Sequence, residues 1–549
     1  MRKRIGVIIG IIVLSLSVFL IFSNQQSDTE TREEKSTSEK EKGEAGVRPA
    51  EIFSRAEEGE APGVPFTVGE TTGEEVRDKW GEPEKTSEDN KETVLDYSSR
   101  NVKIGISGNV VTMLKLDRKE ESPLGAEKLK SYKEPDRTEE NESGKGRTLA
   151  YTLSGGRVLE FVFSRPGNEG TEKELDYVTL SADTQEADSA KISKMSLEEK
   201  IGQMIFGGVS GTEMNEETKK VIEKYHVGGL ILFGNNITSA PQTVDFLNEM
   251  KQVNEGNPYP LLLGVDEEGG RVSRMPPEAA SLPPGGEVGE LNDPELAFKT
   301  GKILGMQMNE LGFNLDFAPV LDVNSNPDNP VIGDRSFSSD PETVSKLGIQ
   351  VMKGIEEQGV IPVIKHFPGH GDTNVDSHLN LPKVTKSYEE LKQMELVPFK
   401  QAIEAGADVT MTSHILLPAF DEQYPASMSE AVITDVLRED LGFGGVVVTD
   451  DLTMGAITNE YSVEDAAIET VKAGGDLLLM AHDSNLISNV FNKLKAAVEN
   501  GELSEERINE SVERIADLKD KYQITGEQTP PPEFQPVNRK VEEILEQVS

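Results

Sequence analysis

The 549-residue chain contains no cysteine. That excludes disulfides, thiolate metal sites and a cysteine nucleophile, and it removes the lipidated cysteine by which many exported bacterial proteins are anchored. Positive charge is scarce too. Against 98 Asp and Glu stand only 56 Lys and Arg, a formal net charge of −42. Such a surface repels phosphate backbones and anionic headgroups, so no nucleic-acid partner is expected. The acidity itself requires no ligand, because a solvated surface accounts for it. Residues 23–65 have almost no large apolar side chains and are rich in Glu, Lys, Ser, Thr and Gly. They cannot bury enough surface to offset chain entropy and are expected to form a disordered acidic tether.

One long apolar run is present. Ile5 to Phe22 carries 18 residues without a charge, directly after the basic Met1-Arg2-Lys3-Arg4. The run is long for a signal-peptide core and just long enough to span a bilayer, and its basic start belongs on the cytoplasmic side. No small-x-small cleavage site follows. Residues 1–22 therefore read as an uncleaved signal anchor, with a cleaved signal peptide as the alternative. In both cases the rest of the chain works outside the cytoplasm, membrane-anchored or secreted and associated with the cell wall, and touches membrane only through this segment. Nothing in the sequence fixes an oligomeric state.

Ordered structure is expected to resume near Phe66, and residues 66–185 read as a small α+β module. A helix is predicted from Gly73 to Trp80, ended by Gly81 and Pro83, followed by strands Thr93–Tyr97, Val102–Ser107 and Val110–Leu116. A weaker echo begins 52 to 54 residues later, where Lys-Glu-Pro-Asp-Arg-Thr (133–138) answers Gly-Glu-Pro-Glu-Lys-Thr (81–86) and another strand pair runs from Thr148 to Ser164. Two copies of one unit are expected, serving as spacer or docking module without chemistry of their own.

From Ser193 the texture becomes a regular alternation of amphipathic helices and short apolar runs. The runs are Gln203–Gly207, Gly229–Phe233, Leu261–Val265, Asn314–Val320, Ile361–Ile364, Asp408–Thr412, Gly445–Val448 and Leu477–Met480. Eight strands separated by helices such as Pro294–Leu311, Asp340–Gln358 and Tyr388–Ala405 are the arithmetic of an α/β fold of the TIM-type (β/α)8 barrel class over 190–525. An open doubly wound sheet is the alternative. Residues 526–549, after Pro530-Pro531-Pro532, read as a Pro-rich tail with a short helix.

In such a barrel, chemistry gathers where strands end. Asp266, Asp322, Lys365, His366, His414, Asp450 and His482 all stand there, and Arg335 lies farther along the fourth loop. Five of the six histidines fall between 366 and 482, as a shared pocket would require. The loop KHFPGHGDTNVDSH (365–378) ends on Asp376-Ser377-His378. An Asp two residues before a His can hold its tautomer and stabilise its cation, which suits proton transfer. Two glycines, Gly369 and Gly371, predict a mobile loop that swings His378 into place. Asp450 follows the apolar Val446-Val447-Val448, where an idle carboxylate would be costly. A carboxylate nucleophile with a facing proton-transfer group is the minimal set for two-step glycoside hydrolysis.

Residues 194–452 resemble glycoside hydrolase family 3, in its bacterial β-N-acetylglucosaminidase branch with an Asp-Ser-His loop. The segments that carry the resemblance are MSLEEKIGQM (195–204), GVDEEGGRVSR (264–274), NLDFAPVLDV (314–323), GDRSF (333–337), KHFPGHGDTNVDSH (365–378) and VVVTDDLTMGAI (446–457). The resemblance implies a retaining exo-β-N-acetylglucosaminidase in which Asp450 is nucleophile, His378 acid/base and Asp376 its partner, while Asp266, Arg335, Lys365 and His366 hold the terminal sugar. It implies no cofactor and no metal, and a GlcNAc-containing glycan or muropeptide as substrate. Where a Gln is usual, this chain has Glu267, expected to add negative charge beside the sugar. Plainer roles are expected for His226 (packing), His370 (shaping its turn), His414 and His482 (strand-end hydrogen bonding), Asp322 (structural) and Asp451 (capping the following helix). The competing functions are a metal hydrolase built on His366 and His370, against which Pro368 and Gly369 argue; a non-catalytic wall-binding protein; and a β-N-acetylglucosaminide phosphorylase. Muropeptide and chitin oligosaccharide remain open as substrates.

Overall fold

The computed structural model describes residues 49–69, 71–89, 92–107, 110–117, 126–140, 146–153, 157–164, 174–182, 191–481 and 484–548. The anchor or signal expected at 1–22, the tether up to residue 48 and His482 lie outside them. Among the described residues no helix is long and apolar enough to cross a membrane.

The expected tether ends earlier than its composition implied. Pro49–Glu57 is a helix, α1, that buries Ile52, Phe53 and Ala56. The Phe53 ring stands edge-on to Tyr151 at 4.8 Å between centroids. Three apolar residues on one side of the helix suffice here because partners come from strands about a hundred residues downstream. Helix α2 (Gly73–Trp80) starts on a reciprocal capping box between Thr72 and Glu75 and ends at Gly81, whose φ is +82°. It leads into four antiparallel strands, β1 (Lys85–Asp89), β2 (Glu92–Tyr97), β3 (Val102–Ser107) and β4 (Val110–Asp117). The same order then recurs with α3 (Ala126–Tyr132), β5 (Arg137–Glu140), β6 (Gly146–Thr152), β7 (Arg157–Ser164) and β8 (Glu174–Ala182). The last strands of the two halves, β4 and β8, pair antiparallel and join them into one eight-stranded sheet. Its core holds Val76, Tyr97, Leu129, Tyr151, Phe161 and Phe163.

Each of the eight apolar runs downstream supplies one strand of a parallel sheet: β9 (Ile205–Gly208), β10 (Gly229–Leu232), β11 (Leu262–Val265), β12 (Leu315–Asp316), β13 (Ile361–Phe367), β14 (Val409–Thr412), β15 (Val446–Thr449) and β16 (Leu478–Met480). Neighbours pair in chain order, β16 pairs β9, and a bridge between Val448 and Leu477 brings the sheet nearly to closure. The open doubly wound alternative is thereby excluded. The run Asn314–Val320 yields only the two-residue β12, since Pro319 has no N–H for the ladder. The expected helix Tyr388–Ala405 is two pieces, Tyr388–Leu391 and Leu396–Glu404. Pro398 falls in the first turn of the second, where no helical N–H is needed. Asp293 and Asp340 cap the helices Pro294–Leu311 and Pro341–Glu356, each with proline at the first helical position. The C-terminal segment is part of this core: the helix Phe534–Val548 buries Phe534, Val537, Val541 and Ile544 in it.

Candidate active site

A cleft of about 310 Å³ opens at the C-terminal ends of the barrel strands. It gathers Asp266, Arg335, Lys365, His366, Asp376, His378 and Asp450, all seven residues singled out for chemistry, over an apolar floor of Ile231, Met411 and Leu479.

One wall is a buried charge cluster. Lys365 Nζ lies 2.6 Å from Asp266 Oδ1 and 2.8 Å from Glu268 Oε1. Arg335 grips Glu268 with both ends of its fork, at 2.8 and 2.7 Å. Burial would raise the Glu268 pKa, but the Lys365 and Arg335 charges outweigh it and hold the group well below the ordinary carboxylate range. Burial likewise works against the Lys365 ammonium, and the carboxylates of Asp266 and Glu268 more than offset it, so its pKa is raised. Glu268 is therefore the keystone that aims Arg335 and Lys365. Sequence reasoning passed over it, although it is part of the quoted segment. Arg274 was passed over as well. It lines the cleft, and among the described residues its guanidinium donates only to the Ser273 carbonyl, at 3.2 Å. The signal available was the second arginine of GGRVSR.

His366 is held from behind. Its Nδ1 lies 2.6 Å from Oδ2 of the fully buried Asp322, whose other oxygen accepts the His370 backbone N–H at 2.6 Å. With Nδ1 committed to that carboxylate, Nε2 faces Arg335 at 3.4 Å and the cleft. A β-bulge between Ile364 and Phe367 interrupts strand alternation, and both Lys365 and His366 line the cleft. His370 is buried, and both ring nitrogens meet hydroxyls, Thr373 at 2.8 Å and Ser377 at 3.0 Å. Burial lowers its pKa. With no free ring nitrogen it shapes its loop and cannot join His366 on a metal; among the described residues no group of three or more His, Asp or Glu is placed to hold one.

The loop carrying Asp376 and His378 is anchored. Gly369 has φ +126°, and a Cβ there would stand 2.7 Å from Glu395; a Cβ on Gly371 would stand 1.8 Å from the Val323 carbonyl oxygen. Both glycines permit close approach of the loop to Glu395 and Val323. Farther along, the carbonyls of Ser377 and His378 accept the backbone N–H groups of Ala456 and Gly455, each at 3.1 Å. The His378 side chain itself is 64% exposed, and its Nδ1 lies 2.8 Å from Asp376 Oδ1. Burial opposes ionisation of Asp376, but hydrogen bonds from the His378 backbone N–H and imidazole dominate, and its pKa is lowered.

Asp450 leaves β15 with its N–H on the Thr412 carbonyl and Oδ1 accepting the Asp451 N–H at 2.9 Å. Burial would raise its pKa; the His414 and His366 imidazoles and that N–H outweigh it, so it is lowered. Asp451 does not cap the following helix, whose N-cap is Met454. It closes a turn onto Thr453 and accepts the Ala481 N–H, tying β15 to β16. His414 is buried, bonded to Ser427 and to the Asp451 carbonyl, and His226 caps a helix beside Asn257. Glu267 is fully buried and absent from the cleft lining, so it does not put the expected extra charge into the cleft.

The comparisons fit this geometry. Residues 196–518 match the glycosyl hydrolase family 3 N-terminal domain, and residues 50–181 match a family known only as a domain of unknown function, DUF4309. Beta-hexosaminidase A of Pseudoalteromonas piscicida is 38% identical over 334 residues, which are 56% of this chain and 56% of that protein. Beta-hexosaminidase LpqI of Mycobacterium tuberculosis is 36% identical over 332 residues, 59% of this chain and 83% of that protein. The solved family 3 beta-N-acetylglucosaminidase of Paenibacillus sp. FPU-7 superposes with a TM-score of 0.62 at 40% identity, covering 64% of this chain and 69% of that one. With its family match spanning more than half its length, the chain belongs to glycoside hydrolase family 3.

Proposed function

We propose that the protein is a retaining exo-β-N-acetylglucosaminidase that removes non-reducing terminal GlcNAc from peptidoglycan fragments outside the cytoplasm. The observation that carries the reading is the meeting of Asp450 with the Asp376–His378 pair in one cleft. Asp450 attacks the anomeric carbon, and His378, protonated and held through Nδ1 by Asp376, gives its Nε2 proton to the departing oxygen. Water then attacks the glycosyl ester while His378 takes its proton, and Asp450 is released. Asp266, Lys365, Arg335, His366 and Arg274 supply donors and acceptors for the sugar hydroxyls, and the apolar floor takes its carbon face.

Relatives named beta-hexosaminidase support this reaction class. Export rests on the apolar run Ile5–Phe22 behind a basic start, and export favours a wall fragment over a cytoplasmic glycan. The test is hydrolysis of aryl glycosides differing at C2, then of muropeptides and chitobiose, with and without phosphate. Activity confined to 2-acetamido sugars and preferring GlcNAc–MurNAc fragments is expected. Preference for chitobiose would reassign the substrate, and glycosyl phosphate as product would reassign the acceptor.

A further inference from the structure

Glu267 and Asp316 are both fully buried, on neighbouring strand ends: Val265, the last residue of β11, pairs in register with Asp316 of β12. The Glu267 backbone N–H donates to Asp316 Oδ1 at 3.0 Å, and the Arg274 backbone N–H donates to Glu267 Oε2 at 2.7 Å. Among the described residues the two remaining oxygens, Glu267 Oε1 and Asp316 Oδ2, are buried without a hydrogen-bond partner. Every other charge facing them is accounted for. Asp266 and Glu268 flank Glu267 on its own segment and take up Lys365, and Glu268 also takes Arg335. Arg274 and the Ser273 hydroxyl approach Glu267 from the far end of the segment. Lys365 is the cation that also acts on Asp316, from a distance and with its ammonium bound to Asp266 and Glu268, and burial outweighs it. Two adjacent buried carboxylates cannot both ionise cheaply. A single proton would turn the two orphan oxygens into a donor and an acceptor.

We propose that Glu267 and Asp316 share one proton beneath the sugar site, that this pair positions the segment from Asp266 to Arg274, and that loss of the proton weakens sugar binding as pH rises. Burial, the largest influence on each, pushes Glu267 up to about 7 and Asp316 well above its ordinary range. Loss of the proton therefore begins near neutrality. The second negative charge is relieved only by moving the segment that carries Asp266 and Arg274, so binding suffers before chemistry. Glu267 and Asp316 are positioning residues; the proposal rests on the reading that Asp266 and Arg274 meet the sugar.

The experiment measures kcat and KM of the full chain on an aryl N-acetyl-β-glucosaminide from acid to alkaline pH. In the wild type KM should climb by up to about tenfold per pH unit above the pair's apparent pKa, with kcat changing less. In Glu267→Gln the amide donates permanently to Asp316, so KM should stay flat while Glu267→Ala raises it at all pH. A flat wild-type KM, or the same climb in Glu267→Gln and Asp316→Asn, overturns the proposal. Should the variants fail to fold, infrared difference spectroscopy of the wild type decides: a protonated-carboxyl band that disappears with rising pH and is missing from no other carboxyl assignment supports the pair, and no such band refutes it. A wild type inactive on every aryl N-acetylglucosaminide would sink the enzymatic reading alone, leaving the infrared result to judge the pair.

Discussion

His378→Ala separates chemistry from architecture because this imidazole does little for the fold. Its side chain is 64% exposed, and Asp376, its one side-chain partner among the described residues, is 35% exposed. The loop is held through backbone carbonyls of Ser377 and His378, which alanine keeps. Removing an exposed side chain of this kind shifts stability by no more than about 0.5 kcal/mol, so the unfolding midpoint should not move. Catalysis should respond very differently. Losing a general acid costs about 10²–10⁴-fold, or about 3–5 kcal/mol of barrier, and only where the leaving oxygen needs the proton. Hydrolysis of muropeptides, whose leaving alcohol is poor, should nearly vanish, while a dinitrophenyl glycoside, whose phenolate departs unaided, should keep far more of its rate in the first step. Azide, a nucleophile that needs no deprotonation, should restore turnover on the dinitrophenyl substrate and give the glycosyl azide. Asp376→Asn should show the same pattern more mildly, because the imidazole remains but loses its carboxylate. The assay is a rate comparison over leaving groups of graded acidity alongside a urea titration. Equal losses on both substrate classes would refute the reasoning and make His378 a binding residue.

Three further outcomes are expected. Asp450→Ala should abolish turnover with its circular dichroism unchanged, and a 5-fluoro N-acetylglucosaminyl fluoride should label the peptide containing Asp450; labelling of Asp451 would mean that the neighbouring carboxylate is the nucleophile. Glu268→Gln leaves Arg335 and Lys365 without their shared countercharge and should cost about 3–5 kcal/mol in urea unfolding. Because the Glu268 pKa is held below its ordinary 4.5, its contribution is present above that pH and is lost as pH falls toward the folded value, so the variant should show a flatter acid limb of stability. Full-length protein should stay with membranes through a high-salt wash; a shortened form in the medium beginning shortly after Phe22 would instead indicate a cleaved signal peptide.

The eight barrel strands were legible because each is buried on both faces and reads as a short apolar run, such as Val446-Val447-Val448, bounded by turn residues. The carboxylates and bases that follow those runs were legible for the same reason. Glu268 was not. Its role depends on Arg335 and Lys365, 67 and 97 positions away, and within the triplet Asp266-Glu267-Glu268 nothing local says which carboxylate faces the cleft and which is buried. Glu267 is buried and absent from the cleft lining, with its backbone N–H on Asp316, while Glu268 reaches Arg335 and Lys365. The start of the first module was misjudged on similar grounds. Ile52 and Phe53 are isolated in a polar stretch, and only Tyr151 and Phe161 reveal why they are there. The close contacts of Gly369 with Glu395 and of Gly371 with Val323 were likewise not legible, because both partners lie far away in the chain.

The distribution of charge around the cleft argues for which carboxylate reacts. Asp266 is bound to Lys365, Glu268 to Lys365 and Arg335, Asp322 to His366, and Asp376 to His378. Each of these carboxylates is engaged by a cation or an imidazole, which stabilises the anion and blunts its nucleophilicity. Asp450 differs. Among the described residues its carboxylate accepts only a neutral backbone N–H, through Oδ1, while nearby imidazoles keep its pKa low without a direct hydrogen bond. It is ionised, partly exposed to the cleft, and has one oxygen uncommitted. In a chain of net charge −42, carboxylates are plentiful, and what sets Asp450, the proposed nucleophile, apart is that among the described residues no cation is bound to it. Bringing one there would therefore be as damaging as removing the acid. Ala481→Lys, at a buried position that lines the cleft beside Asp451, should turn over slowly in protein whose circular dichroism shows it folded, with kcat falling more than KM changes. Unchanged kcat in that variant would show that the freedom of Asp450 from cations is incidental.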